Sequence, residues 1–328
     1  MIGKHHVIVE TKRLKYEFDI KRNITVILGD SATGKTTLVE MLSTYSRIPM
    51  KTGIRVESDV PCVVFSDFGS DWAAALRLIE NSIVFIDEDN PFVFSQDFAE
   101  LVSGSSNYFV IITRRPLYNL PYSINEVYGI RTSGKYHYPE QIYHEFYNIY
   151  QDVDLEPLDK KYTFYIEDSK SGFEFYRNAF GDSICRSCEG NSQVAKKINS
   201  AEEDNIAVIA DGAAFGAFME DLLGVIDDKQ RVILYLPESF EWLILRSGIV
   251  KIDGLDEILS RPEDHIRSEE YLSWERFFTA LLQHATEMDP VSKYSKLKLQ
   301  PFYYSGRNKQ AILDVMPEEI KKLALGEE

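Results

Sequence analysis

Continuous apolar runs at residues 24–28, 61–65, 82–86 and 107–113 predict buried strands, because a strand covered on both faces has no polar alternation. Shorter runs at 6–10 and 14–19 predict two more strands ahead of them. Residues 37–42 read as a helix following the 24–28 strand. Within 71–80, Trp72, Ala75, Leu76 and Ile79 recur on one face of a helix. Residues 92–102 suit a helix starting after Pro91, and 125–131 and 141–146 read as closing strands. This alternation predicts an α/β domain, a parallel sheet with helices on both faces.

Residues 151–161 are polar and acidic and contain Pro157, which reads as a linker. A second series then begins, with strands at 162–166, 183–187, 206–210 and 231–236. Helices are expected at 172–180, 191–199, 213–226 and 240–246. These βα units predict a small parallel α/β domain. No internal sequence repeat accompanies the regularity. Beyond 251 the pattern is mainly helical. Tyr271, Trp274, Phe277, Phe278, Leu281 and Leu282 recur at helical spacing within 268–288, as a core-facing stripe does. Residues 293–298 are locally basic and are followed by Pro301-Phe302-Tyr303-Tyr304. That combination suits either nucleic-acid contact or a packed tail with a solvated face. The expected organisation is 1–150, a linker at 151–161, 162–250, and a helical region at 251–328.

The most specific chemistry lies at Gly29-Asp30-Ser31-Ala32-Thr33-Gly34-Lys35-Thr36, which reads G-x-x-x-x-G-K-T, the phosphate-binding P-loop. A strand leads in and a helix leads out. Backbone N–H groups from Gly29 to Thr37 then converge on phosphate, and the helix dipole adds positive potential. Lys35 is expected to reach the β- and γ-phosphates, and the Thr36 hydroxyl to bind Mg²⁺. The bland alternative is a glycine turn between strand and helix.

A second motif fits at Ile83-Val84-Phe85-Ile86-Asp87-Glu88. Asp87 at the strand end suits the Mg²⁺ shell. Glu88 suits orienting or deprotonating the attacking water. Without the P-loop, the same letters describe a solvated turn. Thr113-Arg114-Arg115 ends the next apolar strand. Thr113 can sense a γ-phosphate there and either arginine can stabilise transferred charge. The alternative is a surface turn before Pro116.

The chain has 328 residues, 44% hydrophobic and 27% charged, enough to build cores in two domains. Its net charge of −16 argues against broad, non-specific DNA binding, while leaving room for a local or metal-bridged contact. No apolar run approaches the roughly 20 residues of a membrane helix. Residues 1–6 lack a signal-peptide core. A cytoplasmic protein without membrane attachment is therefore expected. Three cysteines, Cys62, Cys185 and Cys188, do not make a disulfide framework. Cys185 and Cys188 form a C-x-x-C, but without a second pair at metal spacing, and on a strand positions three apart face opposite sides.

In these motifs residues 6–130 resemble ABC-type and AAA-type P-loop ATPases, and residues 14–38 look like the start of the ATPase domain in overcoming-lysogenisation-defect (OLD) proteins. ABC-type domains place a helical insert and an L-S-G-G-Q signature between the two nucleotide motifs. Here about 45 residues separate them, too few for that insert. Leu101-Val102-Ser103-Gly104-Ser105 is similar in spelling but follows Asp87-Glu88. The resemblance therefore does not extend to a head-to-tail ATP sandwich, and slow hydrolysis or a nucleotide switch is expected.

In the second series, acids follow three strands: Glu167 and Asp168 after the first, Asp211 after the third, and Glu238 after the fourth, with Glu241 one turn on. Ligand sites in open parallel sheets form at such strand ends, and carboxylates there suit Mg²⁺ or Mn²⁺. Each acid can equally be a loop residue or a helix cap, Asp168 especially. Residues 160–250 resemble a Toprim domain, a family with a glutamate after its first strand and an Asp-x-Asp after its third. Glu167 matches the glutamate, Gly190 the glycine turn after strand two, and Asp211 half of the pair, with Ala213 in the other position. The segment from Pro237 to Glu241 can supply a replacement carboxylate.

A P-loop ATPase followed by a Toprim-like domain is the order of OLD-type proteins, which act in phage defence and DNA metabolism. The resemblance implies ATP at 29–37, Mg²⁺ at Thr36 and Asp87, and Mg²⁺ or Mn²⁺ held by Glu167, Asp211 and Glu238. It further implies catalysis by Lys35, Glu88 and Glu167, DNA as a candidate partner, and a homo-oligomer. The leading expectation is a nucleotide-gated, metal-dependent nuclease. The alternative is a regulatory or assembly protein with a degenerate Toprim-like domain. A P-loop kinase ranks below both, since no arginine-rich lid follows the P-loop.

Overall fold

A computed structural model of the chain describes residues 1–29, 34–48, 52–66, 69–137, 141–150, 161–226 and 231–325. The chain divides into two compact units: Met1–Gln151 with Arg261–Ser273, and Asp152–Ser260 with Trp274–Glu328. Both are α/β. The linker expected at 151–161 lies, apart from Lys161, outside the described residues.

The first unit is built on a nine-stranded sheet. Its strands are β1 (His5–Glu10), β2 (Leu14–Ile20), β3 (Ile24–Ile27), β4 (Arg55–Glu57), β5 (Cys62–Phe65), β6 (Ile83–Ile86), β7 (Tyr108–Ile112), β8 (Val127–His137) and β9 (Gln141–Asn148). They lie in the order β4-β1-β2-β9-β8-β3-β7-β6-β5. The sheet is mixed, which corrects the parallel sheet expected from the alternation. β8, β3, β7, β6 and β5 are parallel neighbours, but β1 pairs antiparallel with β2 and β4, and β8 antiparallel with β9. Three residues join β1 to β2, and so short a connection permits only antiparallel pairing. Thr11 tightens that turn, its hydroxyl oxygen accepting from the N–H groups of Arg13 and Leu14.

Burial follows position in the sheet. Every residue of β3, β6 and β7 is buried. In β2, buried Tyr16, Phe18 and Ile20 alternate with exposed Glu17 and Asp19, as on a half-covered strand. The helices of this unit are α1 (Lys35–Arg47), α2 (Trp72–Leu76) and α3 (Gln96–Val102). Two are shorter than expected. The Asn107 amide donates to the Ile79 carbonyl and its oxygen accepts from the Ser82 N–H, which draws the chain out of α2. Ser95 caps α3 by accepting from the Phe98 N–H at 3.2 Å, so Pro91–Phe94 forms a separate 3-10 turn.

The second unit has a wholly parallel sheet of β10 (Thr163–Ile166), β11 (Cys185–Ser187), β12 (Asn205–Ile209) and β13 (Arg231–Tyr235), in the order β11-β10-β12-β13. Its helices are α4 (Ser171–Phe180), α5 (Asn191–Asn199), α6 (Met219–Val225), α7 (Phe240–Arg246), α8 (Leu255–Ser260), α9 (Trp274–Thr286), α10 (Pro301–Tyr304), α11 (Gly306–Val315) and α12 (Glu318–Leu325). The helix expected at 213–226 is α6 alone, preceded by two 3-10 turns. On α9 the aromatic stripe is core, with Trp274, Phe277, Phe278 and Leu282 buried.

The region 251–328 is not one body. Arg261–Ser273 belongs to the first unit, and the helix expected over 268–288 starts only at Trp274. The Asn23 amide donates to the carbonyls of Ser268 and Tyr271, and the Ser268 hydroxyl to the Ser105 carbonyl. These contacts withdraw 268–273 from the helix. Among the described residues no helix is long and apolar enough to cross a membrane.

Arg22 and Glu126 are both buried in the first unit, their side chains 3.3 Å apart, and Thr25 donates to the same carboxylate. Removing one charge leaves the other without its counter-charge in a poorly polarisable interior. Arg22→Met is expected to cost about 3–5 kcal/mol in urea unfolding, and adding Glu126→Leu to recover much of that loss.

Candidate functional site

β3 and β6 run parallel with β7 between them, so their C-terminal ends open on the same edge of the sheet. A cavity of ≈ 330 Å³ lies there, and Lys35, Thr36, Thr37, Asp87, Glu88 and Arg114 line it. Residues expected at one site from two separate motifs therefore meet. Gly29 and Gly34 bracket the loop, whereas Asp30, Ser31, Ala32 and Thr33 lie outside the described residues.

Gly34 starts α1 at φ 95°, a left-handed conformation that a side chain strains. A Cβ there would also sit 2.9 Å from the Tyr16 hydroxyl. That hydroxyl donates to the Gly34 carbonyl at 2.9 Å, and the Tyr16 ring stacks on His144 at 4.6 Å. Burial pushes the Tyr16 phenol up to about 12 and lowers the His144 imidazole. Tyr16 and His144 line the cavity but were not expected from the sequence. Their only signal was the apolar alternation of β2, which marks Tyr16 as inward-facing. The Lys35 ammonium, on a side chain only 6% exposed, donates to the Gly29 carbonyl.

Burial raises the Asp87 carboxyl, with Glu88 and Asp89 adding to the shift and the Glu88 N–H and Lys35 opposing it. Glu88 is held by a two-pronged bond from Arg114, Nε to Oε2 at 2.8 Å and Nη2 to Oε1 at 2.7 Å. Thr113 does not line the cavity. It is buried and its hydroxyl donates to the Arg115 carbonyl. Arg115 lies over the Phe94 ring at 4.5 Å. Of the three residues at this strand end, only Arg114 reaches the site. A hydroxyl and a carboxylate, Thr36 and Asp87, on one cavity wall are hard oxygen donors of the kind Mg²⁺ takes alongside phosphate.

The second unit has its own cavity of ≈ 260 Å³ at the C-terminal ends of β10 and β12. Glu167 and Asp211 line it, as expected, but Glu238 does not. Its backbone carbonyl accepts from the Ala213 N–H at 3.1 Å. The carboxylate from this segment is Glu241 instead. Ser239 caps α7 through the Trp242 N–H, and the first turn of the helix carries Glu241 to the cavity wall. Gly190 gives a sharp entry to α5 at φ 121°, and its N–H donates to the Glu167 carbonyl at 2.7 Å. Asp168 caps α4, accepting from the N–H groups of Gly172 and Phe173 at 3.1 and 2.6 Å.

Two lining residues come from far along the sequence, Glu275 on α9 and Lys296 after it. The Lys296 ammonium donates to Glu275 Oε1 and lies 3.7 Å from Glu241 Oε1. Tyr294 donates to the same Glu241 oxygen at 2.7 Å. Glu241 Oε2, Tyr176 Oη and Asn191 Oδ1 are buried without a hydrogen-bond partner. Burial would lower the Lys296 ammonium, but Glu241, Glu275 and Asp211 outweigh it and hold its pKa above the ordinary value. Burial also raises Asp211, well above the usual range, and Glu241. Among the described residues no group of three or more His, Cys, Asp or Glu side chains is arranged to hold a metal ion. Of the three acids expected to hold a metal in this unit, Glu167 and Asp211 line the cavity and Glu238 does not, and the Lys296 ammonium lies beside the other acids there.

Cys185 and Cys188 are buried, free thiols, and burial pushes both up to about 12, so neither is a thiolate at neutral pH. No family model matches the chain, and the search of curated proteins also returned no match.

Burial, with Asp168 and Glu275 nearby, pushes the Glu167 carboxyl from 4.5 up to about 7. Below pH 4.5 the folded and unfolded forms both bind this proton, so folding pays no penalty for it. As pH climbs towards about 7 the unfolded chain ionises first, and stability falls. Glu167→Gln removes this titration. Its melting temperature relative to wild type is expected to rise between pH 4.5 and 8, as followed by circular dichroism.

Proposed function

We propose that this chain is an ATP-binding regulatory protein of OLD-like organisation, a P-loop ATPase unit joined to a Toprim-like unit that works without metal-dependent cutting. The observation that carries the reading is the meeting of Lys35, Thr36, Asp87 and Glu88 around one cavity at the ends of parallel strands. In this reading ATP lies along Gly29 to Thr37, with Lys35 on its β- and γ-phosphates. Thr36 and Asp87 hold Mg²⁺, which neutralises phosphate charge when bound.

Glu88 orients or deprotonates the attacking water. The Arg114 guanidinium must release Glu88 before that carboxylate is free to act, which suits slow turnover and a switch. Nucleotide occupancy then governs self-assembly, with a role in phage defence or DNA metabolism. A second reading, a nucleotide-gated nuclease using Mg²⁺ or Mn²⁺, is favoured by the convergence of Glu167 and Asp211 in the other cavity. The absence of Glu238 from that cavity's lining, the absent acid at Ala213 and the Lys296 ammonium weigh against it.

Binding of a fluorescent ATP analogue with Mg²⁺ is expected for the full chain. Lys35→Ala should weaken it about 10–100-fold, the value of a charged hydrogen bond. Equal binding by the two proteins would sink the ATPase assignment. Glu88→Gln is expected to keep binding and lower phosphate release by about 10²–10⁴-fold. Light scattering should report larger assemblies with ATP than without. Plasmid and single-stranded DNA should stay intact with Mg²⁺ or Mn²⁺, and cleavage that Asp211→Asn abolishes would establish the nuclease instead.

A further inference from the structure

The acidic cavity of the second unit gathers more carboxylates than its hydrogen bonds account for. Asp168 is occupied as the cap of α4, and one oxygen of Asp211 accepts from the Phe240 N–H at 3.0 Å. Glu167, Asp211, Glu241 and Glu275 remain around one small space. Acids gathered around one small space require a cation or protons. The chain supplies a cation of its own, Lys296, paired with both Glu241 and Glu275.

This lysine is not a wandering surface side chain. Its backbone carbonyl accepts from the Ser171 N–H at 3.2 Å, at the start of α4. Two residues earlier, the buried Tyr294 hydroxyl is bonded to both Glu241 and Ser171, and the Tyr294 N–H donates to Thr286. Three residues later, the Leu299 N–H donates to Glu174 at 2.9 Å. The strap that carries Lys296 is therefore tied to α4, α7 and α9 on both sides of the ammonium. Its side chain is 39% exposed, and its ammonium rests on the carboxylates.

We propose that the Lys296 ammonium is the resident cation of this pocket, tethered by the 292–299 strap where a Toprim-like site would hold a divalent metal. The pocket then neither needs nor takes Mg²⁺ or Mn²⁺. The contrast with a metal site rests on reading the second unit as Toprim-like, while the ion pairing does not.

Mn²⁺ binding to the full chain without nucleotide, measured by electron paramagnetic resonance of the free ion, tests this directly. Wild type and Asp211→Asn are expected to bind Mn²⁺ equally and weakly. Lys296→Met is expected to gain one site, at least about tenfold tighter than any on wild type, since a positive charge roughly 4 Å from the acids is gone. The gain should vanish in Lys296→Met with Asp211→Asn. A wild-type Mn²⁺ site that Asp211→Asn removes would overturn the proposal, and so would a folded Lys296→Met that gains none. If Lys296→Met does not fold, the wild-type and Asp211→Asn pair still decides. Failure of ATP binding would leave this result untouched, so the two readings fall separately.

Discussion

Parallel pairing is the constraint on which both cavities depend. Ile27 pairs with Ile112, and Ile111 with Ile86, so β3, β7 and β6 end level with one another. Whatever follows these strands emerges on the same edge: Gly29 after β3, Asp87 after β6. In the second unit Ile166 pairs with Ile209, which brings Glu167 and Asp211 out side by side. Neither pair of residues is close in sequence. Backbone hydrogen bonds between buried apolar strands set their separation, and the polar groups inherit it.

The legible part of the fold was the part governed by local pattern. Fully apolar stretches such as 82–86 and 107–113 became central strands because nothing but a covered sheet accommodates them. The mixed pairing was not legible, since β1 and β2 carry the same strand signal whichever way they run. Only the three-residue connection at Thr11 decides. Helix lengths failed where a side chain intercepted the backbone, as Asn107 does after α2 and Ser95 does before α3. The site divided along the same line. Lys35, Thr36, Asp87 and Glu88 sit in contiguous motifs at strand ends, and Glu167 and Asp211 at strand ends too. Glu275 and Lys296 come from a helix stripe and a basic run, and no local spacing ties either to the second sheet. Strand-end position points to Glu238, while the turn capped by Ser239 carries Glu241 to the cavity instead.

The two cavities balance charge in opposite ways. The first presents Lys35 beside a glycine loop whose neighbouring acids, Asp87 and Glu88, stand at its edge, and a mobile anion completes it in the ATPase reading. The second surrounds an ammonium with carboxylates, and in the Lys296 proposal it is already complete. A chain of net charge −16 thus concentrates part of its surplus acid where a built-in cation meets it.

The division of the chain has a topological consequence. Because Arg261–Ser273 belongs to the first unit, the backbone passes from one unit to the other at 151/152, at 260/261 and again at 273/274. During synthesis the first unit cannot satisfy Asn23 until the ribosome has delivered Ser268 and Tyr271, by which time most of the second unit has already emerged. A single cut at 260/261 gives two fragments that each carry part of both units. An exchange of either unit would likewise have to splice three junctions rather than one.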